Sequence, residues 1–281
     1  MMIMRFLVLV LLFSACSSAP KNPGDVNDQR RRAESRLEQG NKHADRGNLE
    51  VAMSYLEDAY LLAIATDDPG LRIRAGLSRS NTLFSQGYND EANYGWREAL
   101  DEAERIGDRE LAAVCRIHIA RGILLDQGRG AAQSVRDDVS RDLAFIRTDQ
   151  LYIAFAWTVI ALAERELGRY AEAEASIRRS LGIHENNRNL ELVAYNWFLI
   201  ASFRSLAGNY NGALQALDSA ITYDRRVENS WGLANDWRAI GEVHTRAGNT
   251  GAARAAFLRS AAIFQAVNAD DAAEEVLARI E

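Results

Sequence analysis

The feature that most constrains the fold of this chain is a glycine that recurs every 40 or 41 residues through most of its 281 positions. Each of these glycines stands between two segments of apolar periodicity, as expected where one helix ends in a left-handed turn and another begins. Six such positions predict six antiparallel helix pairs in tandem. The glycines are Gly47, Gly87, Gly128, Gly168, Gly208 and Gly248.

Other positions keep the same spacing and predict how the helices pack. Alanine follows the glycine by five residues in five of the six repeats, and a small residue follows it by twelve in all six. Tryptophan stands eleven residues before the glycine at Trp157, Trp197 and Trp237. Small side chains let two helix backbones approach closely, and a bulky neighbour fills the groove beside them. We therefore expect each pair to bury its apolar stripe by stacking on the next pair.

The order of tryptophan, small residue, turn glycine, aromatic residue and alanine resembles the tetratricopeptide repeat (TPR). In the fourth repeat it reads Trp157, Ile160, Ala161, Gly168, Tyr170, Ala173, Ile177 and Ser180. The usual repeat of that family has about 34 residues, so this chain resembles a forty-residue variant. The resemblance implies an all-α, right-handed α-solenoid of about six antiparallel helix pairs over residues 29–281.

The two ends of the repeat pattern predict further features. The segment from Asp271 to the C-terminus reads as a polar-faced capping helix that closes the stack. The third repeat departs most from the pattern, because Gly130 and Asp137 stand where an aromatic and an apolar residue belong. We expect a bend or altered packing there.

The first residues have the form of a secretion signal. Arg5 precedes eight apolar residues, a run about 12 Å long as a helix and too short for the ~30 Å hydrocarbon core of a membrane. The segment 13–16 resembles the bacterial lipobox, which implies that residues 1–15 are removed as a signal peptide and that Cys16 is acylated, for example with palmitate. The alternative is an ordinary secretion signal with Cys16 unmodified or bonded to Cys115.

The same resemblance implies a location. Ser17, rather than aspartate, follows the cysteine, which favours sorting to the bacterial outer membrane with the chain facing the periplasm. Two or more acyl chains give stable membrane anchoring. Residues 16–28 contain two prolines and several polar residues, so we expect a lipidated N-terminus and a flexible tether.

Charge and composition exclude several classes of function. The 39 acidic residues outnumber the 33 basic ones, which argues against nucleic acid as a partner because phosphate binding needs a basic face. The apolar run from Leu151 to Ala163 is too short to span a membrane and predicts a solenoid helix packed on both sides. The four histidines lack the spacing of a metal site, and no catalytic arrangement stands out. We therefore expect no enzyme activity, metal ion or cofactor.

In TPR proteins the first helix of each pair lines a concave groove that binds a protein or peptide. The family's groove positions, carried onto this chain, place aromatic residues beside arginines, which suits a peptide or helix with apolar and acidic groups. The candidate groove residues are Arg74, Phe84, His118, Phe155, Arg165, Tyr195, Phe198, Arg238 and Arg246. The alternative is that the aromatic side chains only pack between repeats, above all Phe155 and Phe198.

Together these observations predict a lipid-anchored TPR scaffold that binds a protein or peptide partner in the bacterial cell envelope, as an assembly or accessory factor. Two alternatives stay open. A small-ligand-binding or transporter-accessory lipoprotein would contain an enclosed apolar pocket of about 300–1,000 Å³. A structural homo-oligomer would expose a large apolar face on an end helix.

Overall fold

The computed structural model describes residues 23–280, and within that range the chain forms thirteen α-helices and no strand. Successive helices pack against each other as six pairs, called here pair 1 (α1 with α2) to pair 6 (α11 with α12), followed by α13. The predicted six-pair α-solenoid with a capping helix is confirmed. The helices are α1 (Pro23–Asp45), α2 (Leu49–Ala65), α3 (Pro69–Ser85), α4 (Asn89–Arg105), α5 (Arg109–Gln127), α6 (Arg129–Leu143), α7 (Gln150–Glu166), α8 (Tyr170–Asn186), α9 (Leu190–Leu206), α10 (Tyr210–Arg226), α11 (Ser230–Arg246), α12 (Thr250–Ala266) and α13 (Asp270–Leu277).

Uniform helix lengths produce the forty-residue spacing. Except for α1, α5 and α6, each helix of the six pairs has 17 residues, and three-residue turns join these regular helices. Within a pair the turn glycine is left-handed, as at Gly208 with φ +80°, a conformation that is strained for residues with a β-carbon. The additional residues of the forty-residue repeat therefore lengthen the helices themselves.

Polar side chains cap the N-termini of several first helices. Asp68 and Asp108 each accept a 2.9 Å hydrogen bond from a backbone N–H in the first turn of the helix that follows. Asn229 accepts one of 3.0 Å from the N–H of Gly232. Such caps satisfy N–H groups that the helix itself leaves without a partner.

Pair 3 is irregular, as predicted. Its helices have 19 and 15 residues instead of 17, and Gly128 alone separates them. The connection from α6 to α7 is longer than elsewhere and folds around Glu110. One carboxylate oxygen of that residue accepts hydrogen bonds from the backbone N–H groups of Arg147, Thr148 and Asp149.

The N-terminal boundary differs from the prediction in one respect. The helix α1 begins at Pro23, so the last part of the predicted tether, residues 23–28, is helical. Proline is well tolerated in the first turn of a helix, where its missing N–H is not needed. The predicted signal peptide 1–15 and Cys16 lie outside the described residues.

The first helices of the pairs form the concave side of the solenoid. They contact one another directly, α1 with α3, α3 with α5, α5 with α7 and α9 with α11, and no comparable contact joins two second helices in the described part of the chain. Because first helices stand closer together than second helices, the stack curves around them. These contacts agree with the expectation that first helices line a concave face.

The C-terminal end is closed by α13, which buries Ala273 and Val276 against Phe257 and Phe264. The apolar run 151–163 lies in α7 and is largely buried within the main core, as predicted. Among residues 23–280, no helix has both the length and the apolar character needed to cross a membrane.

The three periodic tryptophans are half-buried, and an arginine from a second helix covers each ring. The guanidinium of Arg179 lies 4.2 Å from the ring centre of Trp157, and that of Arg259 lies 4.0 Å from Trp237. Arg178 covers Trp197 at 5.7 Å. Desolvated contacts between an arginine and an indole face are attractive, so these rings pack between helices with an arginine on their outer side.

Candidate functional site

The concave face combines residues from five first helices, α3, α5, α7, α9 and α11. All nine candidate residues lie on these helices. Their environments differ sharply between the middle of the face and its C-terminal end.

The middle of the concave face is filled by a stack of rings. The ring of His118 lies 4.3 Å from that of Phe155 and 6.4 Å from that of Trp96, which in turn lies 5.5 Å from Phe84. His118 is only 5% exposed, and burial lowers its pKa to about 3, so the imidazole is neutral. Phe84, His118 and Phe155 therefore pack against neighbouring pairs. In this region the structure favours the alternative that the aromatic side chains pack between repeats.

The arginines near the middle of the face differ in how far they are neutralised. Arg165 forms an ion pair with its neighbour Glu166, with an N–O distance of 2.5 Å. Arg74 is half-buried in α3 and has no carboxylate partner among the described residues. Of these two arginines only Arg74 keeps an uncompensated charge, and the middle of the face presents few reachable aromatic surfaces.

The C-terminal end of the concave face is open and holds two adjoining hollows of about 290 and 60 Å³, here called the C-terminal cleft. Glu242 and Arg246 line both hollows. The smaller one is floored by Phe198 and Leu217, with the hydroxyl groups of Ser202 and Ser205 at its side. Ser205 is smaller than the residues at the same position of pairs 2 to 4, which are Phe84, Leu125 and Arg165.

Tyr195 extends the apolar part of the cleft. Its side chain is 44% exposed and stacks on Phe198, with 6.4 Å between the ring centres. Tyrosine and phenylalanine offer a large, rigid contact area and are common anchors in protein interfaces. The predicted groove residues Tyr195 and Phe198 are therefore placed where a partner can reach them.

Arg246 supplies the uncompensated charge of the cleft. Its guanidinium donates a 2.9 Å hydrogen bond to the hydroxyl of Ser205, and no carboxylate of the described residues pairs with it. Arg238, by contrast, lies 3.8 Å from Glu275. An arginine bound only to a neutral hydroxyl keeps most of its capacity to bind a carboxylate in two-point geometry.

Several residues of the cleft were missed by the sequence analysis. Phe257 on α12 and Arg279 after α13 line the larger hollow, yet neither belongs to a first helix. Arg279 also pairs with Glu242, at an N–O distance of 2.8 Å. The sequence feature that could have indicated Phe257 is Gly241 on α11, which lies against the ring of that residue. The second helix of pair 6, α12, therefore also reaches the groove.

Within the described residues, the structure contains no cluster of histidine, cysteine or acidic side chains that could hold a metal ion. Cys115 is buried in α5, and burial raises the pKa of its thiol to about 12. A thiol of this kind is inert at neutral pH.

Comparisons with known proteins agree with this architecture. Residues 156–187, which run from α7 to the end of α8, match the family model described as tetratricopeptide repeat. No curated protein matches the chain. The fold and the concave face thus define a TPR-like α-solenoid, and the family match lies in its most regular part.

Solved structures of similar fold have low sequence identity. A Rap protein complexed with competence and sporulation factor is 16% identical over 91% of this chain and 77% of its own, with a TM-score of 0.60. The APC/C hetero-tetramer Cut9-Hcn1 is 16% identical over 91% and 45%, with a TM-score of 0.59. BtubC from P. vanneervenii is 16% identical over 86% and 92%, with a TM-score of 0.56. At this identity the likeness shows the fold alone.

Proposed function

We propose that this protein is a scaffold that binds a protein or peptide segment in its C-terminal cleft, and that it is anchored through Cys16 to the bacterial outer membrane. The observation that carries the binding proposal is the arrangement of exposed Tyr195, half-buried Phe198 and unpaired Arg246 around an open cleft. The ligand chemistry that fits is an apolar side chain next to a carboxylate, because stacked rings take the first and a free guanidinium takes the second.

Similar structures support binding in a solenoid of this kind. One of them is a Rap protein complexed with competence and sporulation factor, and another is part of a hetero-tetramer. An assembly or accessory role would follow from capturing one partner and holding it at the membrane. Confinement near a surface raises the effective concentration of the captured partner.

The two alternative functions receive less support. The hollows of about 290 and 60 Å³ are open to solvent, whereas a small-ligand site would be an enclosed pocket of about 300–1,000 Å³. The end helix α13 presents acidic side chains to solvent, including Asp270, Asp271 and Glu274. A charged end face of this kind opposes end-to-end stacking of copies.

The lipid anchor is tested by replacing Cys16 with alanine. We expect that the variant no longer incorporates radiolabelled fatty acid and that it is released from membranes, because no residue other than this cysteine fits the lipobox. The intact chain with Cys115→Ala serves as the matched control, since that thiol is buried. Fatty-acid labelling that persists in Cys16→Ala would refute the anchor.

The cleft is tested by photo-crosslinking in intact cells. A photoreactive residue at position 195 is expected to give discrete adducts, whereas one at the exposed position Asp218 on α10 gives none of them. Phe198→Ala and Arg246→Gln should each remove the adducts without changing helix content. Arg165→Gln is the matched control in the middle of the face. Adducts that survive both cleft substitutions would contradict the proposed site.

A further inference from the structure

Pair 1 makes a contact across the solenoid that no repeat pattern predicts. Arg46, in the turn between α1 and α2, donates a hydrogen bond of 3.1 Å from Nη2 to the backbone oxygen of Val227. The same nitrogen lies 3.1 Å from a carboxylate oxygen of Glu191 at the start of α9. The residues joined are 145 and 181 positions apart in the chain. The turn of pair 1 therefore touches the connections that lead into pairs 5 and 6.

The adjacent glycine makes a second contact at the same place. A β-carbon at Gly47 would approach the ring of Trp231 to within 2.9 Å, so the backbone of the turn lies directly against that indole. The corresponding glycines of the later regular pairs, Gly168, Gly208 and Gly248, have no atom within 4 Å of such a β-carbon. Among the turn glycines of residues 23–280, Gly47 alone lies against a residue several pairs away.

This contact joins opposite edges of the solenoid. Turns within pairs lie at one edge of the solenoid, and connections between pairs lie at the opposite edge, because the helices of each pair are antiparallel. Arg46 belongs to the first edge, whereas Val227 and Trp231 belong to the second. A bond between opposite edges means that the stack completes one superhelical turn between pair 1 and pairs 5 and 6. The concave face lies inside that closed turn.

Pair 1 packs against α3 but stands outside the main core. The main core extends from Ile73 to Ala256 and contains no residue of α1 or α2. The buried side chains between pair 1 and α3 form a small separate cluster of Ala33, Ala63 and Leu71. A segment whose buried side chains lie outside the main core can open locally without global unfolding.

We propose that Arg46 and Gly47 form a latch with Glu191, Val227 and Trp231, and that opening this latch gives a protein segment wider access to the concave face than the open C-terminal cleft alone allows. Pair 1 swings about the connection between α2 and α3, and the main core of pairs 2 to 6 stays intact. The existence of the latch is independent of the proposed function. Its role in access rests on that function.

The latch is tested by distances between spin labels at Asn48→Cys and Arg225→Cys, two exposed positions beside the contact. The full chain carries Cys16→Ser and Cys115→Ala so that only these two thiols react. We expect one short distance in this parent protein. Arg46→Glu should add a longer population, and Arg46→Glu combined with Glu191→Arg should restore the short one.

Arg36→Glu is the matched control, because Arg36 lies on α1, the helix that leads into the turn of Arg46, and pairs locally with Asp58 on α2. It should leave the short distance unchanged. Each variant is first checked for unchanged helix content by circular dichroism. An Arg46→Glu protein that is folded and retains only the parent distance would overturn the latch.

Access to the groove is measured separately and needs no partner. Ser202→Cys places a thiol in the C-terminal cleft, and its rate of reaction with a polymer-linked maleimide reports how open the concave face is. We expect Arg46→Glu to speed this reaction on the order of tenfold, the effect of losing one hydrogen-bonded ion pair. Arg36→Glu should not change it. Equal rates in the two variants would overturn the access role, and failed partner crosslinking would instead refute the proposed function.

Discussion

The middle of the concave face and its C-terminal end use the same helix positions for opposite purposes. Ten residues before the turn glycine, pair 3 has His118 and pair 5 has Phe198. The first ring is enclosed between Trp96 and Phe155, whereas the second borders an open cleft. The difference teaches that a ring at a groove position stays accessible where the neighbouring pairs place no ring over it, whereas Trp96 and Phe155 cover His118.

The largest effect is expected in the ring stack. Trp96→Ala should lower the free energy of unfolding by about 3–5 kcal/mol, because Trp96 is fully buried and its removal leaves a cavity. The measurement is urea denaturation followed by circular dichroism. Tyr94→Ala on the same helix, at a residue 69% exposed, should change stability by less than about 0.5 kcal/mol. Similar losses in both variants would contradict the assignment of the middle to packing.

The next effect concerns the space at the C-terminal end. Gly241→Ala should lower the free energy of unfolding by about 1–3 kcal/mol, because the added β-carbon would approach the ring of Phe257 to 2.5 Å. The ring would also be displaced into the cleft, so partner adducts at position 195 should decrease. Stability and crosslinking both equal to the parent would show that the cleft does not depend on this close contact.

A smaller, pH-dependent effect is expected where α10 meets α11. Asp236 and Asp224 are buried there, and burial raises the pKa of both carboxyl groups. The folded state therefore binds protons more tightly than the unfolded chain, whose aspartates titrate near pH 4. It follows that the contribution of these two carboxyl groups to the free energy of unfolding decreases as the pH rises from about 4 into the alkaline range.

The preceding repeat suggests the variant that tests this pH dependence. Asn196, forty residues before Asp236, is buried and donates a 3.1 Å hydrogen bond to Ser180. Asp236→Asn should raise the free energy of unfolding at pH 8 by about 1–2 kcal/mol and flatten its decline between pH 5 and pH 8. Denaturation curves at both pH values measure this. A decline as steep as in the parent would contradict the assignment.

The smallest effect is a stabilisation in the regular part of the stack. Gly182 lies inside α8, and a β-carbon there would meet no atom within 4 Å. Gly182→Ala should raise the free energy of unfolding by about 0.5–1 kcal/mol, since glycine is a poor helix former. This change in the free energy of unfolding has the opposite sign to that expected for Gly241→Ala. The same denaturation curves would therefore distinguish a glycine that tolerates a side chain from one that packing requires.

Much of the fold follows from local patterns and was predictable. The turn glycines, the small residues beside them and the Asp and Asn caps each act within a few residues of their position. Because every pair repeats the same local arrangement, the number of pairs and their order follow from the spacing of the turn glycines. Even the irregular third pair is visible in the sequence, through Gly130 and Asp137.

The groove was predictable only in part. The sequence placed all nine candidate residues on first helices, and these helices do form the concave face. It did not separate the enclosed His118 and Phe155 from the accessible Tyr195 and Phe198, because the burial of a ring depends on side chains of the neighbouring pairs. Binding by the accessible residues stays a prediction.

The sequence by itself determined the repeat length, the helix pairing and the face on which a groove forms, since these depend on contacts between residues close in the chain. The tertiary structure alone decided where that groove is open and that Arg46 meets Glu191 on the far side of the turn. Small differences in packing add up over successive pairs and set the curvature of the whole stack. Contacts between pair 1 and pair 5 depend on this accumulated curvature, which cannot be predicted from the sequence of a single repeat.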